Sequence, residues 1–343
     1  MKNLKYLAAY IIPVLMYFSL DKKGVFLYSV LIFAFVVIPI FEWILPQADG
    51  NIGERRQRKM GKKRFFDVLL YLNVPIVYGL LIFFLYEMRF ASLTNFEIVG
   101  AVLSMGIVLA TSGINVAHEL GHRTSDMARS LSALLLLPSL YTHFTIEHNH
   151  GHHKRVGTPR DPATAKKNQS VYSFWFQSVI GGWLHAWKLE RKRLQRQGSS
   201  AISLDNGMIR SVLIQLVYVS AIFYLLGGKV LILAILTAIV SFVLLETINY
   251  IEHYGLYRKK LENGRYERAV AKHSWNSNHL LGRIMLYELT RHSDHHYKAS
   301  KKYQILDNLE GAPQLPAGYP GSMLMSLIPP LWFAKINPLL NSE

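Results

Sequence analysis

The chain has 343 residues and no cysteine, with 38 Lys and Arg against 22 Asp and Glu, a formal net charge of +16. Hydrophobic residues make up 51% and charged residues only 17%, and the mean hydropathy is +0.17. This balance excludes a disordered chain and, set against the roughly 25% charge of soluble domains, points to a bilayer. The missing cysteines exclude disulfides, thiolate catalysis, Cys-ligated zinc and iron–sulfur clusters.

Six apolar stretches are long enough, or nearly so, to cross a membrane: 4–20, 25–44, 68–86, 98–117, 212–226 and 230–245. Lys2 and Lys5 precede the first in the manner of a signal peptide, but Phe18-Ser19-Leu20-Asp21 offers no small-residue cleavage site, so it reads as an uncleaved anchor. The last two stretches are short and must borrow flanking residues. With a cytosolic N-terminus the outer loops hold only Lys22, Lys23, Arg89 and Lys229, while Arg55-Arg56-Gln57-Arg58-Lys59 and Lys62-Lys63-Arg64 fall inside. The positive-inside rule therefore predicts a multi-pass protein of the plasma (inner) membrane with both termini cytoplasmic. The net charge then reads as topology and attraction to anionic membrane lipids, not to nucleic acid.

A seventh apolar stretch, 131–146, is interrupted by Pro138 and flanked on both sides by histidine clusters. If those clusters meet at one site, it cannot make a net crossing, and a re-entrant or interfacial segment is expected. The Gly- and Pro-containing run 311–321 reads as a loop packed on the catalytic part. The expected fold is an all-α integral membrane protein: a six-transmembrane helix bundle with a cytosolic helical cap carrying the histidine boxes. It forms a single domain over 1–343, with cytosolic catalytic segments 118–208 and 250–343.

The 14 histidines are clustered. Box one is His118-Glu119-Leu120-Gly121-His122, whose two imidazoles share a helix face at i, i+4. Box two is Glu147-His148-Asn149-His150-Gly151-His152-His153, with a second i, i+4 pair in His148 and His152; His153, about 100° around the helix, suits a neighbouring metal. In box three, His292-Ser293-Asp294-His295-His296, the three imidazoles lie along one stripe, and His253 follows the sixth stretch alone. His150 lies off the shared face of box two and is left out. These nine ligands exceed the three or four of one metal with an open position, so two metals are expected, sharing the set as five and four. Imidazole suits zinc, copper, nickel or iron alike. Glu119, Glu147, Asp161, Glu252 and Asp294 sit beside ligands or boxes, where carboxylates can accept the distal N–H of a bound imidazole. His143, His185 and His279 read as structural residues.

In these residues the sequence resembles the integral-membrane alkane 1-monooxygenases, in the membrane di-iron superfamily with the fatty acid desaturases and xylene monooxygenase. The HExGH, EHxxGHH, NYxEHYG and RHSxHH patterns of that family match His118–His122, Glu147–His153, Asn249–Gly255 and Arg291–His296. The stretch His273-Ser274-Trp275-Asn276-Ser277-Asn278 is similar too, and His273 and Asn276 join the residues expected to support the ligands. So are the segments around Leu315-Pro316-Ala317-Gly318-Tyr319 and Pro329-Pro330-Leu331-Trp332. Arg123, Thr290 and Tyr297 depart from the common residues and bear on the site rim rather than the ligands. The resemblance implies two iron ions held by the nine histidines, dioxygen activation, and hydroxylation of the terminal methyl of an n-alkane. It also implies electrons from a rubredoxin, itself reduced by a rubredoxin reductase. A rubredoxin iron needs four cysteines, so that carrier is expected as a separate protein.

Three rivals are weaker. An intramembrane zinc protease would use the HExxH of box one, with Glu119 as general base, but leaves seven histidines idle and has Ala128 where the longer pattern needs a third His. A fatty acyl desaturase or hydroxylase, or an aromatic methyl hydroxylase, would use a similar histidine set. A metal transporter would place its ligands at mid-membrane.

Overall fold

The structure, a computed structural model, describes residues 3–340; Lys2 and the two chain ends lie outside the described residues. Those residues are helical, with three isolated bridges and no strand. Six helices are long and apolar enough to cross a membrane: Leu4–Lys22, Gly24–Ile44, Arg64–Phe90, Asn95–Gly121, Gly207–Leu226 and Gly228–His253. The last two reach 20 and 26 residues by taking in flanking sequence. The sixth runs on through Thr247, Asn249 and Glu252, polar residues that the fold buries. The protein is a multi-pass membrane protein.

The chain forms two compact units. The first comprises Met1–Ala34, Asp67–Glu147 and Trp183–Leu245. Span four is its centre, with 67% of its apolar window buried, whereas span five has 6%. Its start is fixed by a capping box: Thr94 accepts from the Glu97 backbone N–H, and the Glu97 carboxylate accepts from the Thr94 N–H and hydroxyl. Close approach needs glycine twice along span four. A Cβ on Gly100 would lie 2.6 Å from the Tyr28 ring, and one on Gly106 would lie 2.4 Å from Val240. An apolar groove of about 820 Å³ lies between spans one and three, lined by Tyr10, Val14, Tyr17, Phe18, Ile76 and Phe83 among others. It lies where Pro13, Pro75 and Gly79 withhold bulk from the facing helices.

The seventh apolar stretch is broken. A helix over Asp126–Leu136 ends before Pro138, Leu140 has a positive φ of 52°, and a short helix resumes at Phe144–Glu147. It packs on box one: Ser132 donates to the Ala117 carbonyl at 2.6 Å, and a Cβ on Gly121 would meet Thr145 at 2.9 Å.

The second unit comprises Phe35–Phe66, His148–Gly182 and Glu246–Glu343. Its segments are tied by backbone and buried charge. The Gln47–His279 and Asn276–Gln314 bridges join distant loops, the latter seating the run 311–321. Glu42, buried at the end of span two, accepts the Gly282 N–H at 2.8 Å. Its carboxylate fills the space a side chain at 318 would need, since a Cβ on Gly318 would lie 1.8 Å from it. The buried Arg291 guanidinium donates to the carbonyls of Gly50 at 2.9 Å and Leu306 at 2.7 Å, fixing the residue that precedes box three.

Candidate metal centre

Box one sits on the regular helix Asn115–Gly121, so residues four apart share a face. His118 and His122 accordingly turn their Nε2 atoms toward one another at 3.3 Å. Box two is different. His148–His152 form a π-helical turn, wider than an α-turn by about one residue, which brings i and i+5 into line. His148 therefore pairs with His153, Nε2 to Nε2 at 3.0 Å. His152 turns to another set, 3.2 Å from the Nε2 of His296. The i, i+4 partnership of His148 and His152 expected from an α-helix is thus corrected. Box three divides as well. His292 and His296, four apart, stay together at 2.9 Å, while His295 joins His148 and His153.

Within the second unit four imidazoles converge: His152, His253, His292 and His296 each offer one nitrogen, all within 4.8 Å of one another. His253 comes from the end of span six and faces His292 at 3.0 Å. His148, His153 and His295 of the same unit gather by the same measure. His152, His253, His292 and His295 are buried.

The donor chemistry fits a metal ion. Asp161 receives the Nδ1–H of His152 at 3.0 Å, which puts the proton on Nδ1 and leaves the Nε2 lone pair facing its neighbours. Burial alone would raise the Asp161 carboxyl, but the charge and hydrogen bond of His152, with the Thr164 hydroxyl at 2.6 Å, hold it below the ordinary value. His296 is held far below the ordinary imidazole value, first by burial and then by the crowding of His292, His153, His152 and His253. A neutral ring with its lone pair in a ring of others is a metal donor, and a cation satisfies the set where protons between the rings do not.

The neighbouring residues divide by what they touch. Glu252 approaches His292 Nε2 at 3.2 Å and accepts the Tyr319 hydroxyl at 2.7 Å. Burial, then the adjacent Glu252, raise that hydroxyl well above its ordinary value, so it stays a donor. Asn276 grips the start of the box-three helix, taking the Ser293 N–H and giving its amide to the Ser293 hydroxyl, each at 2.8 Å. Three carboxylates expected to orient imidazoles are engaged elsewhere. Glu119 pairs with Arg123 at 2.6 Å, and Glu147 faces His185 Nδ1 at 2.8 Å. Asp294 takes Lys301 at 2.6 Å and the Asp307 N–H at 2.7 Å. His273 lies against Glu267 and accepts the Val270 N–H. His150 is exposed. His143 is a core residue edge-on to Tyr141, its imidazole pushed down to about 4 by burial, and His279 meets the Ser277 hydroxyl. Sequence reading gave no role to Tyr319, Thr164, Lys301 or Asp307; Tyr319 meets Glu252 from 67 residues away and Asp307 meets Gln57 from 250.

Comparison with known proteins agrees with this arrangement. Residues 93–322 match the family model for fatty acid desaturase. The chain is 38% identical to alkane 1-monooxygenase of Ectopseudomonas oleovorans over 91% of its own length and 78% of that protein. It is 39% identical to alkane 1-monooxygenase 1 of Alcanivorax borkumensis, over 90% of the chain and 76% of the relative. Similarity extends to the hydroxylase component of xylene/toluene monooxygenase from Pseudomonas putida, at 31% over 79% and 73%.

Proposed function

The chain belongs to the alkane 1-monooxygenases, within the fatty acid desaturase family, and from that premise we propose that it hydroxylates n-alkanes at the terminal carbon to 1-alkanols with dioxygen. The observation that carries the reading is the convergence of His152, His253, His292 and His296, four imidazole donors from three stretches of chain. In this reading they would hold one iron, and the other five of the nine expected histidines would serve a second. Bound there, the iron pair supplies dioxygen activation, with two electrons and two protons consumed per turnover.

The protein's own residues position and exclude. Asp161 fixes the tautomer and orientation of His152, and Thr164 fixes Asp161. Tyr319 holds Glu252 beside His292, and Asn276 pins the box-three helix. Burial keeps water from the ligand rings. The hydrocarbon substrate partitions into the bilayer core, and the apolar groove between spans one and three lies open to it. In this reading the electrons come from a rubredoxin served by its reductase. The basic loops support an inner-membrane topology with both termini cytoplasmic, and we read the whole chain as one catalytic domain.

The test is metal analysis and turnover of the purified protein in lipid. About two irons per chain are expected from nine imidazole donors. An n-alkane should give the 1-alkanol only with dioxygen, rubredoxin and reductant. A single zinc with peptide cleavage would overturn the assignment, and a preference for xylene or a fatty acyl chain would move the substrate class.

A further inference from the structure

Seven cations crowd into the ten residues 55–64 between spans two and three: Arg55, Arg56, Arg58, Lys59, Lys62, Lys63 and Arg64. All are exposed. Among the described residues only Arg58 has a carboxylate in reach, Glu54 at 3.5 Å. The helix Glu54–Gly61 that carries the first four turns its other face into the second unit. Met60 is buried and its carbonyl accepts the Gln304 amide. Gln57 gives its amide to both carboxylate oxygens of Asp307, at 2.7 and 2.8 Å. Asp307 takes the Lys301 ammonium at 2.7 Å, and the same ammonium reaches Asp294 at 2.6 Å. Asp294 lies between the candidate ligands His292 and His295. The cations therefore stand at one end of a polar ladder whose other end is inside the third histidine box.

Two kinds of occupant suit seven exposed cations of which only Arg58 has a carboxylate in reach: an anionic membrane surface or an acidic protein. Position favours the membrane. Span three begins at Arg64, and an eight-residue helix is roughly 12 Å long at 1.5 Å per residue. Lys62, Lys63 and Arg64 thus emerge in the headgroup layer itself, and the remaining four lie within about one helix length of it, where anionic lipid attracts each cation.

We propose that residues 54–64 bind anionic phospholipid headgroups of the leaflet in which span three begins, and that Gln57, Asp307 and Lys301 transmit this engagement to the box-three helix His292–Tyr297. The inference needs only the membrane embedding and the ladder, and stands apart from the hydroxylation reading.

Hydrogen exchange of the full chain in nanodiscs tests it. Phosphatidylcholine alone is compared with phosphatidylcholine carrying increasing phosphatidylglycerol. Protection of residues 54–63 and of 292–297 should rise together with the phosphatidylglycerol fraction and fall at high salt. R56Q, K59Q and K63Q should each weaken the apparent lipid affinity about fivefold. Q57A keeps every cation but cuts the ladder, so lipid-dependent protection should persist at 54–63 and disappear at 292–297. Identical exchange with and without phosphatidylglycerol would overturn the proposal. So would protection of 54–63 that appears only on adding an acidic redox carrier, whichever lipid is present.

Discussion

Boxes one and two contain the same spacing, His-x-x-x-His, and resolve it in opposite ways. On the α-helix Asn115–Gly121 the two rings meet, Nε2 to Nε2 at 3.3 Å. On the π-turn His148–His152 the rings stay stacked, with centroids 5.1 Å apart, but their Nε2 atoms take different partners, His148 facing His153 and His152 facing His296. Four residues is one turn of an α-helix and less than one of a π-helix. A ligand motif is therefore a statement about backbone winding as much as about residue types. The π-turn turns two adjacent histidines, His152 and His153, toward different histidine clusters.

Replacing the ligands breaks this comparison most severely. H118A and H122A should deplete the same iron, whereas H148A and H152A, also four apart, should deplete different ones. Metal content read with the Mössbauer signals of the two iron populations decides it, and each variant should lose more activity than the roughly 10–100-fold of a supporting residue. If H148A and H152A emptied the same site, the division at the π-turn would be wrong. A smaller effect follows from the carboxylates. D161N should weaken iron binding about 10–100-fold in a chelator competition. D294N, which loses contacts to Lys301 and the Asp307 backbone, should lower the unfolding temperature with much less effect on the metal.

His143 sharpens the contrast from the other side, as a buried histidine four residues before box two with no ligand role. Its imidazole is pushed down to about 4, so the folded state binds fewer protons than the unfolded one between there and about 6.5. Its contribution is intact above 6.5 and is lost as the pH falls toward 4, at most about 3 kcal/mol. H143F should flatten that part of the pH–stability curve while leaving iron content unchanged. The smallest change expected is S132A, which removes one buried hydrogen bond to the box-one helix and should cost about 1 kcal/mol in a denaturation series.

The six spans were legible because length and apolar content suffice to mark them. Their ends were not, since span six continues through Thr247, Asn249 and Glu252, whose burial a hydropathy reading does not anticipate. The histidines declared themselves by clustering. Their partition did not, because nothing in His-Asn-His-Gly-His distinguishes a π-turn from an α-turn. Among the carboxylates beside the boxes, Asp161 meets a histidine nine residues back and Asp294 a lysine seven residues on, and spacing alone does not tell the two apart. Pro138 was a fair sign that 131–146 would not run as one helix, and the turn with Leu140 at positive φ follows it.

The lodging of the Glu42 carboxylate against Gly282 and Gly318 ties together three positions that are remote in the sequence. A methyl group introduced at 318 meets the end of this side chain, so Glu42 must shift from its hold on the Gly282 N–H or be replaced by a shorter residue. Substitutions at these positions should consequently be accepted as compensating pairs, and a library that varies them one at a time would miss the permitted combinations.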